Sequence, residues 1–323
     1  MSFGLYVVRR IIGSIPLIVG AIVVIFVLIH AAPGDPTDYI IGDAAVSQEF
    51  IDRLRRDMGL DQPLYVQIVK YILQVASGDL GFSFARNTPV VDLILDRLPA
   101  TLLLMGTQYV LAIAIGITLG VVSARNPNSG LDRSITLFSL GAFALPLFWL
   151  GQMLILGFAY QIDLFPVSGM TNIREGYTGL ALWLDVAHHL VLPVITLMLP
   201  NIALILRLTR SSMLEVVGQE YIRVAKAKGL SEGTVLFKHA LRNALVPVVT
   251  VVALEFRTLI AGAVLTETVF AWPGLGRLTF DAIHARDYPL LMGMFLFISI
   301  MVIVGNLMAD LLYGLLDPRI RYG

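Results

Sequence analysis

The sequence predicts an all-α membrane protein: six transmembrane helices, with a helical extracytoplasmic insertion between the first two spans. Three observations carry this reading. Of 323 residues, 57% are apolar and only 14% are charged, whereas a soluble domain carries about 25% charged residues. Mean hydropathy is +0.81, so apolar surface must face something other than water. Six segments reach the roughly 20 apolar residues that a bilayer core of about 30 Å requires of a helix.

The first segment, 11–32, follows Arg9 and Arg10 much as a signal peptide would. Its apolar run from Ile11 to Ile29 exceeds the roughly 7–15 residues of a signal core, so it reads as a retained span. The second, 100–124, carries Ala112, Gly116 and Gly120 at steps of four. Small residues on one face let helices approach closely in lipid, where tight packing replaces the hydrophobic drive. The third is 134–160, the fourth 188–208, the fifth 244–265 and the sixth 289–312. Pro193, Pro200, Pro247 and Pro273 lie in or beside the last three. Kinks of that kind suit a protein that opens and closes, and they also occur in static bundles.

The predicted organisation follows. Residues 1–32 are an N-terminal transmembrane helix and 33–99 the extracytoplasmic helical insertion. Residues 100–312 form a five-helix core with a cytoplasmic loop at 209–243, and 313–323 a cytoplasmic tail. One set of connections holds 13 Lys and Arg, from Arg9 and Arg10 through the 207–242 loop to Arg319 and Arg321, against five acids. The first long loop has ten acids and six basic residues. The positive-inside bias therefore places both termini and the 209–243 loop in the cytoplasm.

Within the insertion, Phe50, Ile51, Leu54 and Met58 form a helical stripe. A second helix starts at Asp61-Gln62-Pro63, where the missing proline N–H costs nothing. Its stripe is Leu64, Tyr65, Ile68, Ile72 and Val75, and Ser77-Gly78-Asp79 ends it. Either this pair is a cap packed on the spans or it docks an external partner; periodicity leaves both open.

Composition excludes several functions. Zero net charge with dispersed basic residues argues against nucleic-acid binding. There is no Cys for thiolate chemistry, no Walker-type phosphate loop, and the adjacent His188-His189 pair is not the spaced pair of a zinc helix. No metal site, catalytic constellation or bound cofactor is expected in this chain; if ATP is used, another chain binds it.

The 209–243 loop is unlike the rest. Glu220, Tyr221, Ile222, Arg223, Val224, Ala225, Lys226, Ala227 and Lys228 are good helix formers, and Gly229 falls where a left-handed cap belongs. Ile222, Ala225 and Gly229 share one face, and Arg223, Lys226 and Lys228 occupy much of the remainder. Such a helix could rest on anionic headgroups. Its small apolar face buries little in lipid and allows close contact with another protein, to which a short capped helix between two spans can respond as a unit.

That loop resembles the cytoplasmic signature loop of ATP-binding-cassette importer permeases, in the form of the oligopeptide/dipeptide/nickel permease family. The resemblance covers nearly the whole chain, through Gly59-Leu60-Asp61-Gln62-Pro63-Leu64, Gly78-Asp79-Leu80-Gly81 and Arg97-Leu98-Pro99-Ala100-Thr101. It continues through Thr266-Glu267-Thr268-Val269-Phe270-Ala271-Trp272-Pro273-Gly274-Leu275-Gly276 and Asp317-Pro318-Arg319-Ile320-Arg321-Tyr322. The generic Glu-Ala-Ala is here Arg223-Val224-Ala225, with Ala225 and Gly229 keeping the pattern. The resemblance implies the type I importer permease fold in a bacterial inner membrane. It also implies a second, similar permease, two cytoplasmic ATPase subunits carrying ATP and Mg, and an extracytoplasmic solute-binding protein. The helix from Glu220 to Lys228 is then the coupling helix. Peptides are the expected cargo, with nickel chelates, glutathione and oligosaccharides as the related alternatives.

Glu255 and Arg257 interrupt the fifth apolar segment. Charges at mid-bilayer cost at least about 2.5–3.5 kcal/mol each and face a cavity or a partner. Two residues apart is about 200° of rotation, so they cannot line one surface. Either one faces a translocation path or both are structural ion-pair members. At the outer end of that segment, Trp272 is expected as an interfacial anchor, and the resemblance places Glu267, Trp272, Pro273 and Gly274 at an outer gate. The rivals are an ion-coupled secondary transporter, for which no internal repeat is visible, and an intramembrane enzyme, for which no nucleophile–base pair is visible.

Overall fold

The computed structural model describes residues 3–31, 47–57, 61–255 and 263–316. The expected Met58, the Gly59-Leu60 pair, Arg257 and the Asp317–Tyr322 tail lie outside the described residues. Contacts divide the chain into two compact units: Met1–Thr101, Ile260–Val264 and Pro273–Gly323 form one, and Leu102–Leu259 with Leu265–Trp272 the other.

The first unit is framed by α1 (Phe3–Ala31) and α12 (Tyr288–Leu316), the first and last long apolar helices. Between them lie the two predicted insertion helices, α2 (Gln48–Asp57) and α3 (Leu64–Ala76), and α11 (Leu275–His284). Gly78 and Gly81 both adopt positive φ, and the Asp79 carboxylate accepts the Gly81 N–H at 2.8 Å, closing the turn read from sequence. The chain then forms a two-stranded antiparallel ribbon that the helical expectation omitted, β1 (Phe82–Ser83) and β2 (Thr88–Pro89), in register Phe82↔Pro89. Ser83 donates to the Asp287 carboxylate in a buried contact. Asp287 also accepts the Leu290 N–H at 3.2 Å at the start of α12. The start of the next helix, α4 (Val90–Arg125), packs Val90 and Ile94 against Leu275, Leu278, Leu290 and Met294. A Cβ at Gly293 would lie 2.4 Å from Val90 Cγ1, so this contact requires glycine.

The second unit holds the remainder of α4, with α5 (Gly130–Ala144), α6 (Leu147–Leu154) and α7 (Gly179–Val217). It continues with α8 (Glu220–Ala227), α9 (Leu241–Glu255) and most of α10 (Val264–Val269). The small-residue stripe does what its spacing predicts. A Cβ at Gly116 would lie 2.8 Å from Ile205 Cβ, and one at Gly120 would lie 2.6 Å from Thr209 Cβ, so α4 and α7 meet backbone to backbone. Ala112 is buried in the same seam beside Ile202, Ile205 and Val248.

The third predicted span is not one rod. It breaks into α5 and α6, the latter continued by a π-helical stretch (Ile155–Gln161), bent by 104°. Leu145 sits extended before Pro146, the conformation that a following proline imposes. Among the described residues, five helices are long and apolar enough to cross a membrane. The bent pair makes a sixth if both arms belong to one crossing. The fifth span, expected over 244–265, starts earlier, at the π-helical Thr234–Ala240, and is described through Glu255.

Candidate functional site

The predicted cytoplasmic helix forms as α8, one residue short of expectation, with Lys228 as its C-terminal cap. Gly229 follows at φ 77°, and its N–H returns to the Lys226 carbonyl at 3.0 Å. A side chain at that φ is strained, which is why glycine ends the helix. Glu220 lies in the first turn and Lys226 in the last, each complementing the helix dipole.

Two residues anchor α8. Ile222 is 0% exposed and Ala225 8%, and both enter one apolar cluster. It contains Val121 and Ala124 of α4, Met213 of α7, Val235, Leu236 and Ala240 of the π-helical stretch, and Ala244 of α9. Sequence reasoning offered the Ile222–Ala225–Gly229 face to a partner protein. The structure corrects this: that face is turned inward on the chain's own helices, while Gly229 is exposed with open space beside it. The surface left outward is Glu220, Tyr221, Arg223, Val224, Lys226, Ala227 and Lys228. Tyr221, Val224 and Lys228 recur at three- and four-residue steps on one side. Val224, which the sequence reading passed over, is 53% exposed. Asn243 donates to the Tyr221 hydroxyl at 2.6 Å, fixing that ring.

On α4, α5 and α7 the chain holds a polar lock that the sequence reading lacks. Arg210 donates from Nε and Nη2 to the two carboxylate oxygens of Asp132 at 2.7 and 2.8 Å. Ser123 also donates to that carboxylate, as does the Asn128 N–H at 2.8 Å. The lock thus joins the end of α4 and the start of α5 to the C-terminal part of α7. The signal was present as Ser129-Gly130-Leu131-Asp132, an N-capping pattern, and Ser129 accepts the Asp132 N–H. Next to it, the Arg207 guanidinium lies 4.9 Å from the Phe143 ring centroid. On the surface, Arg125 reaches Glu232 at 2.9 Å. The hydrogen bond from Arg125 is the main cause that holds the Glu232 carboxyl below the usual carboxylate range.

Glu255, the last described residue of α9, is half-buried. The Tyr109 hydroxyl donates to the Val252 carbonyl. Asn201 donates to Gln108 at 3.2 Å. These polar groups on α4, α7 and α9 lie within apolar helices, where such groups mark pathways or partners. Arg257 lies outside the described residues.

The outer-end residues follow a different pattern from the expected one. Trp272 is 0% exposed, which overturns its reading as an interfacial anchor. The cause is local. Ala271 takes a positive φ of 49°, its N–H bonds the Thr268 carbonyl at 3.1 Å, and the Trp272 N–H bonds the Glu267 carbonyl at 2.8 Å. This helix-ending motif turns the chain inward. Glu267 is also wholly buried, Pro273 half-buried and Gly274 buried.

Comparison with known proteins adds an independent line. The family described as binding-protein-dependent transport system inner membrane component matches residues 116–322, and its N-terminal companion matches residues 4–105. The oligopeptide transport system permease protein AppB of Bacillus subtilis is 43% identical, covering 98% of this chain and 99% of its own. The dipeptide transport system permease protein DppB of Escherichia coli K12 is 41% identical, over 98% of each chain. Among solved structures, the inward-facing MetNI methionine ABC transporter matches with a TM-score of 0.55 at 16% identity. The match covers 70% of this chain and 97% of that one, and it establishes a shared fold.

Proposed function

Because the chain belongs to the family of binding-protein-dependent transport system inner membrane components, the membrane part of ABC importers, we propose that it is a peptide permease. In this reading it forms the translocation path for di- and oligopeptides together with a second, similar permease. An extracytoplasmic solute-binding protein delivers the cargo, and two cytoplasmic ATPase subunits supply the energy. The membrane is the bacterial inner membrane, with both termini in the cytoplasm. The peptide assignment rests on what the similar permeases are named for.

The single observation that supports the coupling role is the two-sided character of α8. Its inner residues, Ile222 and Ala225, are wedged among the ends of α4, α7 and α9, while its outer residues face away from the chain. A push on the outer face is therefore received by three long helices at once. Packed cores transmit strain rather than absorb it, and the Asp132–Arg210 lock stiffens the ends of α4, α5 and α7. ATP binding and hydrolysis, in the partner subunits, supply the closing motion. Tyr221, Val224, Arg223, Lys226 and Lys228 receive it, Gly229 ends the rod, and the long helices respond by opening outward. Gln108, Tyr109, Asn201 and Glu255 are assigned to the path, and Glu267, Trp272, Pro273 and Gly274 to its outer gate.

Uptake in proteoliposomes tests the proposal. With the binding protein and ATPases present, accumulation of a labelled dipeptide depends on internal ATP and is indifferent to ion gradients. Accumulation driven by an ion gradient without any ATPase contradicts it.

A further inference from the structure

Helix α3 (Leu64–Ala76) carries more apolar surface than its packing uses. On one side Ile68, Tyr71, Ile72 and Val75 join Ile22 and Phe26 of α1 and Leu296 of α12 in a single cluster. On a second side Tyr65, Val69 and Leu73 recur every four residues and are 71%, 54% and 65% exposed. Polar residues are confined to a third side, Gln67, Lys70 and Gln74, where Gln67 donates to the Gln62 carbonyl at 2.7 Å and Gln74 to Asp79 at 3.0 Å. Among the described residues, only the first apolar side is explained by the chain's own contacts.

The depth of those contacts identifies what covers the second side. The Tyr71 ring lies 6.2 Å, centroid to centroid, from that of Phe26. Phe26 falls inside the apolar span Ile11–Ala31, about 25 Å along α1 from the exposed Arg9 at 1.5 Å per residue. A hydrocarbon core is about 30 Å thick, so the middle of α3 is seated against α1 at hydrocarbon depth. The exposed row on α3 is also continuous in kind with α1, whose Val24, Val27 and Leu28 are exposed in the same stretch. Water at that depth is excluded, and a helix with one polar edge, here Gln67, Lys70 and Gln74, and a broad apolar face is the form that lies in a bilayer interface.

The geometry points to α3 as a helix embedded in the outer leaflet, its Tyr65–Val69–Leu73 face in contact with phospholipid acyl chains and Lys70 reaching the headgroups. The insertion between the first two spans is thereby anchored in the lipid rather than held above it, and this face is not the docking surface of an external protein. This holds whatever solute the protein carries.

The chain contains no native Cys, so single-cysteine variants report without background. Tyr65→Cys, Val69→Cys, Leu73→Cys, Lys70→Cys and Gln74→Cys are made in the full chain and spin-labelled. Each is assembled with its partner subunits in phosphatidylethanolamine/phosphatidylglycerol nanodiscs. The ratio of oxygen to nickel-chelate collisions is expected to be several-fold higher at positions 65, 69 and 73 than at 70 and 74. Equal ratios, which report water, overturn the inference. So do labels at 69 and 73 that are closed to both reagents, which report a covering protein. A second measurement needs no variant: a phospholipid with a diazirine in its acyl tail is photolysed with the native assembly. Adducts in the peptide spanning Leu64–Ala76 support the inference, and their absence while α1 is labelled overturns it.

Discussion

Two of the short amphipathic helices in this chain, α11 and α8, are held in opposite ways. Helix α11 buries Leu275, Gly276, Leu278, Thr279 and Ala282, and its first N–H is received by the Thr101 hydroxyl at 2.7 Å. Helix α8 buries two residues, Ile222 and Ala225, and its N-terminal residue supplies no side-chain cap. Full burial of a large apolar side chain is worth about 1.5–3 kcal/mol. Helix α11 is therefore a fixed part of its unit, whereas α8 is gripped along one edge and presents the other. The difference teaches where force can enter: an element sunk on most of its faces can only be displaced with its surroundings, while one held by two residues can be pushed from outside and still convey the push.

Substitutions can break or sharpen that contrast. The largest effect on stability is expected in α11. Leu278→Ala should cost about 3–5 kcal/mol, as for other leucines cut from packed cores, and lower the thermal unfolding midpoint in detergent without changing peptide uptake per ATP in the surviving protein. Next is the bed under α8. Asp132→Ala leaves Arg210 without its carboxylate, a loss of about 3 kcal/mol, and the same assay should show it. A selective loss in α11 with no change on breaking the lock removes the stiff bed from the account.

Gly229→Val is the opposite case. A β-branched residue at φ 77° costs about 1–2 kcal/mol locally, and nothing lies within 4 Å of its Cβ to clash. Insertion and assembly should be preserved while uptake per ATP hydrolysed falls several-fold. Normal uptake would mean that the cap does not matter to coupling. The smallest effect belongs to the Arg125–Glu232 tether, which is exposed at both ends. Glu232 has a lowered folded-state pKa, so the tether is intact above the ordinary carboxylate range and is lost as pH falls through the lowered value. Glu232→Gln should abolish that slight acid sensitivity of unfolding and leave uptake at neutral pH unchanged.

Much of this was legible in the sequence because bilayer chemistry is severe. Long apolar runs have one solution, so the helices carrying the first, second, fourth and sixth spans appear where hydropathy put them. Gly229 and the Ala112–Gly116–Gly120 stripe were readable since only glycine or alanine satisfies those backbones. The break at Leu145–Pro146 was hidden by the apolar residues on both sides, which keep hydropathy high while the helix turns. Trp272 misled because an indole beside Pro-Gly is equally consistent with an interface and with a buried turn; the left-handed Ala271 that decides between them has no composition signal. The inward use of Ile222 and Ala225 was also out of reach. Periodicity gives a face, and what lies opposite it depends on the ends of helices distant in sequence.

The role proposed for the outer face of α8 is to receive the ATPase. Its most direct test is a cysteine at Val224 in this Cys-free chain, combined with a short homobifunctional thiol cross-linker and single cysteines on the ATPase surface in the assembled importer. Val224→Cys is expected to cross-link to the ATPase, with a yield that changes between nucleotide-free and ATP-bound states. A residue 224 that stays open to a soluble maleimide in the full assembly, and forms no cross-link in either state, contradicts it.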